Sequence, residues 1–146
     1  MKRIWLFIIA ITIHNFPEGL AVGVGFGGGD IANGTSLAIG IGLQNMPEGL
    51  AVALPLLGLG YSRLKAISIA TLTGLVEPVG GALGIFSVTV FQPILPLGMA
   101  FAAGAMLFVI SDEIIPETHA KGRSRLANFG VAIGFVIMMS LDNLLG

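Results

Sequence analysis

The sequence contains no cysteine, and only 10% of its 146 residues are charged. Without thiols, disulfide frameworks and thiolate metal sites are excluded, and the redox compartment cannot be read. Soluble domains carry roughly 25% charged residues, so a water-solvated globule is excluded too. The formal net charge of −1 decides little, and only the placement of charge is informative. No His-Glu-x-x-His occurs, so the zinc-metalloprotease signature is absent. Neither an enzyme activity, an organic cofactor nor a nucleic-acid partner is expected. What fills the chain instead is apolar: 55% hydrophobic residues, a mean hydropathy of +0.95 and 22 glycines. One soluble core cannot hide that much apolar surface, whereas a lipid bilayer can. Membrane helices also tolerate glycine and use it for close backbone approach.

Five apolar stretches are predicted as helices, over about 4–28, 35–60, 64–90, 94–116 and 126–145. Each is near the ~20 residues that cross the hydrocarbon. Turn chemistry separates them: Gly29-Asp30 with Asn33-Gly34, then Gly60-Tyr61-Ser62, then Gln92-Pro93 with Pro96, then Lys121-Gly122. The expected fold is an all-α membrane protein, a single transmembrane helical domain over residues 1–146. The opening Met-Lys-Arg resembles the start of a signal peptide. The apolar run continues past Gly27, however, and contains His14 and Glu18 without a clear cleavage site. It is read as a retained span.

The seven basic residues are Lys2, Arg3, Arg63, Lys65, Lys121, Arg123 and Arg125. With five spans, all of them fall on one face. Lys and Arg accumulate on the cytoplasmic side. The N-terminus is therefore expected in the cytoplasm and the C-terminus outside, in a cell (inner or plasma) membrane.

A repeat carries the chemistry. His14-Asn15-Phe16-Pro17-Glu18-Gly19-Leu20-Ala21-Val22 aligns without gaps on Gln44-Asn45-Met46-Pro47-Glu48-Gly49-Leu50-Ala51-Val52, 30 residues on, with seven of nine pairs identical. Both copies sit near mid-span, on helices that must run antiparallel. The same motif thus reaches the same depth from opposed directions. His14 and Glu18 are four apart and share one helix face with Asn15; Gln44, Asn45 and Glu48 repeat the arrangement. Pro17 and Pro47 each remove a backbone donor and bend the helix, which lipid tolerates only beside a polar cavity. Gly19 and Gly49 are expected to admit another backbone. Glu77-Pro78 adds a third glutamate beside a proline at similar depth. One ionised carboxylate at mid-membrane costs at least ~2.5 kcal/mol, and three together repel. Carboxylate, amide oxygen and imidazole make a first shell for a divalent cation, which would hold them.

These residues resemble the Zrt/Irt-like (ZIP) family of metal transporters. That family carries His-Asn-x-Pro-Glu-Gly on its fourth helix and a similar motif on its fifth. Residues 14–19 match the first outright. Gln44 stands where the second often has His, which resembles a prokaryotic-type branch, as does Ser111-Asp112-Glu113-Ile114-Ile115-Pro116-Glu117-Thr118-His119. The resemblance covers essentially the whole chain. It implies an eight-helix fold of which these five helices are the last five. The three missing N-terminal helices would lie upstream or on a partner chain. It further implies a binuclear site. One metal would take His14, Glu18, Gln44 and Glu48, plus a ligand from the family's first helix; the other would take Asn15, Glu18, Asn45, Glu48 and Glu77. Gln44 lacks an imidazole, which loosens strict zinc preference. Asn45 offers a neutral oxygen where some relatives have a carboxylate, which weakens the second site. Zinc is the expected substrate, with cadmium expected to bind and iron and manganese possible. By the same analogy the first three spans move against the last two, and the scaffold supplies a homodimer contact.

The implied function is alternating-access transport of a divalent cation into the cytoplasm. A selective divalent-cation channel, or a non-transporting metal-binding fragment that needs a partner chain, remains open at this point. Asp112, Glu113, Glu117 and His119 are read as a solvated helix end, with a cytoplasmic exit as the alternative. The pairs and triplets Gly19/Gly23/Gly27, Gly80/Gly84 and Gly130/Gly134 have the spacing of helix contacts.

Overall fold

The computed structural model describes residues 2–120 and 124–145. Lys121 and Arg123 lie outside the described residues, as do the side chains of Lys2, Arg3, Glu113, Glu117 and Asp142. The described chain is all-helical: α1 (Lys2–Gly27), α2 (Ile31–Gly58), α3 (Arg63–Gly74), α4 (Val76–Phe86), the short α5 (Val88–Phe91), α6 (Leu95–Val109), a π-turn (Ile110–Ile114), α7 (Ile115–Ala120) and α8 (Ser124–Leu145). Four stretches among the described residues are long and apolar enough to cross a membrane: Ile4–Gly27, Ile31–Gly58, Arg63–Phe86 and Leu95–Asp112. A shorter apolar stretch, Ser124–Ile137, lies in α8. Leu6, Ile9, Leu54, Leu72, Phe101 and Phe108 all face outward, and contiguous exposed apolar surface of that kind suits lipid.

The central helix is α1. In its most apolar part 67% of residues are buried, against 6% in α2. Glycine explains how it becomes central. Gly19, Gly23 and Gly27 lie against the backbones of Glu77, Gly81 and Ile85, close enough that a Cβ at any of them would overlap. From the other side, a Cβ at Gly80 would sit 2.6 Å from the Phe16 carbonyl oxygen, and one at Gly84 2.7 Å from that of Leu20. Both series advance in the same direction, so α1 and α4 run parallel. α2 runs antiparallel to α1: Gly34 touches Phe26 at one end, and Gln44 reaches Glu18 further along.

The expected glycine contacts form at the Gly19 and Gly80 series only. A Cβ at Gly49, Gly130 or Gly134 would meet nothing within 4 Å. Gly49 borders open space beside Asn45 and Glu48, and α8 packs on α2 and α7 rather than on the α1–α4 seam.

The predicted third helix, 64–90, is broken. α3 ends at Gly74 and α4 begins at Val76. Pro78 has no N–H, and its ring crowds the carbonyl four residues back, that of Gly74. Pro17, Pro47 and Pro55 stay inside α1 and α2 without ending them. The second helix starts earlier than the predicted residue 35, because Asp30 caps it by accepting from the Asn33 N–H at 3.0 Å. Asn33 and Gly34 thereby fall in the first turn rather than in the loop. The fourth stretch continues beyond 116 to Ala120 through the π-turn.

The main core lies toward the N-terminal end of α1. Ile11, Val52, Leu56 and Ala66 are fully buried there, with Phe7, Ile8, Ala53 and Val109 around them. Ile4 and Tyr61 pack on the same cluster, so the α2–α3 turn, with Arg63 and Lys65, sits at the end where α1 begins.

Candidate metal centre

All seven sequence-predicted ligands meet, those of α1 and α2 near the midpoints of their helices and Glu77 just after the α3–α4 break. His14, Asn15 and Glu18 come from α1, Gln44, Asn45 and Glu48 from α2, and Glu77 from the first turn of α4. Glu18 is the hub, and it is buried. His14 Nε2 lies 3.2 Å from its Oε1, the one-turn spacing within α1. Gln44 Nε2 donates to the same oxygen at 3.0 Å from across the helix pair. The repeat thus places its two first residues, His14 and Gln44, on one carboxylate oxygen. Ligand atoms of His14, Glu18 and Glu48 all lie within 4.8 Å of one another.

A second compartment adjoins the first. Asn45 Nδ2 donates to Glu77 Oε2 at 2.7 Å, and Asn15 Nδ2 donates to the Thr73 carbonyl at 3.2 Å. A cavity of about 190 Å³ opens between them, walled by Asn15, Asn45, Glu48, Thr73 and Glu77, with Gly49 and Gly74 at its margins. Glu48 faces both compartments.

Incomplete hydrogen bonding is concentrated in this centre. Among the described residues, the buried side-chain nitrogen and oxygen atoms without a partner are His14 Nδ1, Asn15 Oδ1, Glu18 Oε2, Asn45 Oδ1, Glu48 Oε1 and Glu77 Oε1. Every one belongs to the predicted ligand set. An orphaned buried polar atom costs about 1–3 kcal/mol, so native structures rarely gather several. Five of the six are oxygens. Amide oxygens and ionised carboxylates only accept, so the group that satisfies this set must be electron-poor. Each asparagine gives its N–H to the protein and leaves its oxygen toward the centre. Gln44 does the reverse, and a half-turn of its amide would exchange the two atoms.

Two features were not legible beforehand. Thr73 and Gly74 wall the cavity, although neither carries a ligand-type signature. The available signal was Pro78, which unseats the turn just before it. Asp112 and His119 do not join the centre: both are exposed, and His119 Nε2 lies 3.3 Å from Asn128 Oδ1.

A family model described as ZIP zinc transporter matches residues 1–142. The chain is 54% identical to zinc transporter ZIP11 of Homo sapiens, covering 99% of this chain and 44% of that protein. It is 52% identical to zinc transporter GufA of Myxococcus xanthus, over 97% of this chain and 56% of that protein. With zinc transporter ZIPB of Bordetella bronchiseptica it shares 45% identity, over 100% of this chain and 47% of the relative. The chain spans about half the length of the curated relatives it matches. On the family match and these identities together, the chain belongs to the ZIP zinc transporter family.

Proposed function

We propose that this chain is the metal-binding part of a membrane transporter that moves divalent transition-metal cations, zinc first among them, into the cytoplasm. The observation that carries the reading is the orphaned donor set. Buried atoms on His14, Asn15, Glu18, Asn45, Glu48 and Glu77 lack partners, and bound cations would satisfy the carboxylate and amide oxygens among them. Imidazole with carboxylate and amide oxygens suits zinc and its neighbours, cadmium included. The relatives are named as zinc transporters, which supports zinc as cargo.

Two adjoining compartments support a binuclear centre. One cation sits among His14, Glu18, Gln44 and Glu48, the other among Asn15, Glu18, Asn45, Glu48 and Glu77. Glu18 and Glu48 bridge them. In this reading α8 is a fifth span, and the five correspond to the last five of an eight-helix fold forming a single membrane domain. The N-terminus and the Arg63–Lys65 turn face the cytoplasm of a cell membrane, and the C-terminus faces outside. Segments equivalent to the family's first three helices complete the transport unit, and two copies form a homodimer. Transport proceeds by alternating access: the cation sheds water, binds, and is released inward.

Uptake into vesicles carrying the full-length protein tests this. Glu48→Ala should abolish zinc uptake. Wild-type uptake should fall as the pH is lowered, because binding to imidazole and carboxylates releases protons. Normal zinc and cadmium uptake by Glu48→Ala would sink the proposal.

A further inference from the structure

α1 meets the third apolar stretch along one register. Gly19, Gly23 and Gly27 lie against Glu77, Gly81 and Ile85. Asn15 reaches Thr73, 58 residues on, and the three glycine pairs keep that same offset. The glycine contacts fall on α4, whereas the asparagine contact falls on α3, across the break at Leu75. Backbone meets backbone at each of these three glycines. At position 15 the helices stand far enough apart to admit a side chain, and there the cavity opens.

The break also creates a need. Pro78 cannot donate to the Gly74 carbonyl, and an unpaired peptide group in apolar surroundings is costly. The turn that contains Thr73 therefore lacks one helical hydrogen bond. Asn15 Nδ2 holds it through a buried hydrogen bond. One turn later, Gly19 holds the backbone of Glu77. α1 thus grips the broken helix on both sides of its break, with residues four apart.

Resting on the metal-centre reading above, we infer that Asn15 is a positioning residue as well as an oxygen donor: its N–H bond to the Thr73 carbonyl fixes the α3–α4 break and so holds Glu77 at the cation. The two asparagines of the repeat then differ in kind. Asn45 donates to a side-chain carboxyl. Asn15 donates to a peptide carbonyl, which can only accept. A carboxylate at position 15 would keep the ligand oxygen but set two acceptors against each other.

The test is Zn2+ affinity of the purified full-length protein, measured by chelator competition for Asn15→Asp, Asn15→Ser and Glu48→Ala. The positioning role predicts the order wild type, then Asn15→Ser, then Asn15→Asp, with the last weakened roughly tenfold or more. Serine keeps a donor and an acceptor; aspartate keeps only acceptors. If Asn15 were a ligand alone, Asn15→Asp would bind as tightly as wild type or tighter, and that result overturns the inference. Glu48→Ala separates the two claims. Should it bind zinc normally, the metal-centre reading fails first. Should it lose zinc while Asn15→Asp binds normally, only the positioning role fails. If Asn15→Asp does not fold, a cycle of Asn15→Ser with Glu77→Gln decides. Positions 15 and 77 should then couple, the double variant binding only slightly more weakly than Asn15→Ser; penalties that multiply independently contradict the inference.

Discussion

Gly19→Ala is expected to lower the melting temperature of the full-length protein and to weaken its zinc binding, whereas Gly49→Ala should leave the melting temperature nearly unchanged. The two glycines are equivalent in the repeat and not in the fold. A Cβ at Gly19 overlaps the Glu77 carbonyl and Cα, all backbone atoms that cannot rotate away. Overpacking of this kind costs roughly 1–3 kcal/mol when neighbours shift. Here the neighbour that shifts carries Glu77, so damage to the seam is also damage to the centre. At Gly49 a Cβ would have no atom within 4 Å. Alanine there gains the helix propensity that glycine lacks, about 0.5–1 kcal/mol in soluble helices. Parallel thermal melts with and without zinc check this. Equal melting temperatures for the two variants would mean that the α1–α4 seam does not hold the helices together.

Glu18→Ala should have the largest effect of any single change at the centre. It removes a bridging ligand and also the acceptor shared by His14 and Gln44. Two part-buried nitrogen atoms then lose their acceptor, at up to about 1–3 kcal/mol each. The metal-free protein should therefore melt lower than wild type. Zinc should no longer raise the melting temperature, although a cation at a hundredfold excess over its Kd stabilises a binding site by about 2.7 kcal/mol. Glu48→Ala provides the contrast. Glu48 Oε1 is buried without a partner, so its loss should also abolish the zinc-dependent rise while leaving the metal-free melting temperature the same or higher. A metal-free Glu18→Ala protein as stable as wild type would show that Glu18 is not the structural hub.

Much of this was legible in the sequence because the bilayer simplifies the problem. Span length and turn residues located α1, α2 and α8 within a few residues. The repeat located Glu18 and Glu48, since mid-membrane carboxylates are tolerated only where something holds them. Glu77 was legible for the same reason. What stayed hidden depends on which face of a helix meets which neighbour. Gly19 and Gly49 read identically, yet only α1 lies at the centre. The α3–α4 break was not anticipated, because Pro17 and Pro47 sit inside continuous helices while Pro78 does not. Thr73 was invisible because its contribution is a carbonyl, which every residue carries.

The central claim is that the converging donors of α1, α2 and α4 form a metal centre. Its most direct test is anomalous scattering at the zinc edge from crystals of the full-length protein grown with zinc. Two peaks are expected, one bounded by His14, Glu18, Gln44 and Glu48 and the other by Asn15, Asn45 and Glu77, with Glu18 and Glu48 shared. Zinc found only at exposed groups such as Asp112 or His119, with no peak among these seven residues, would contradict it.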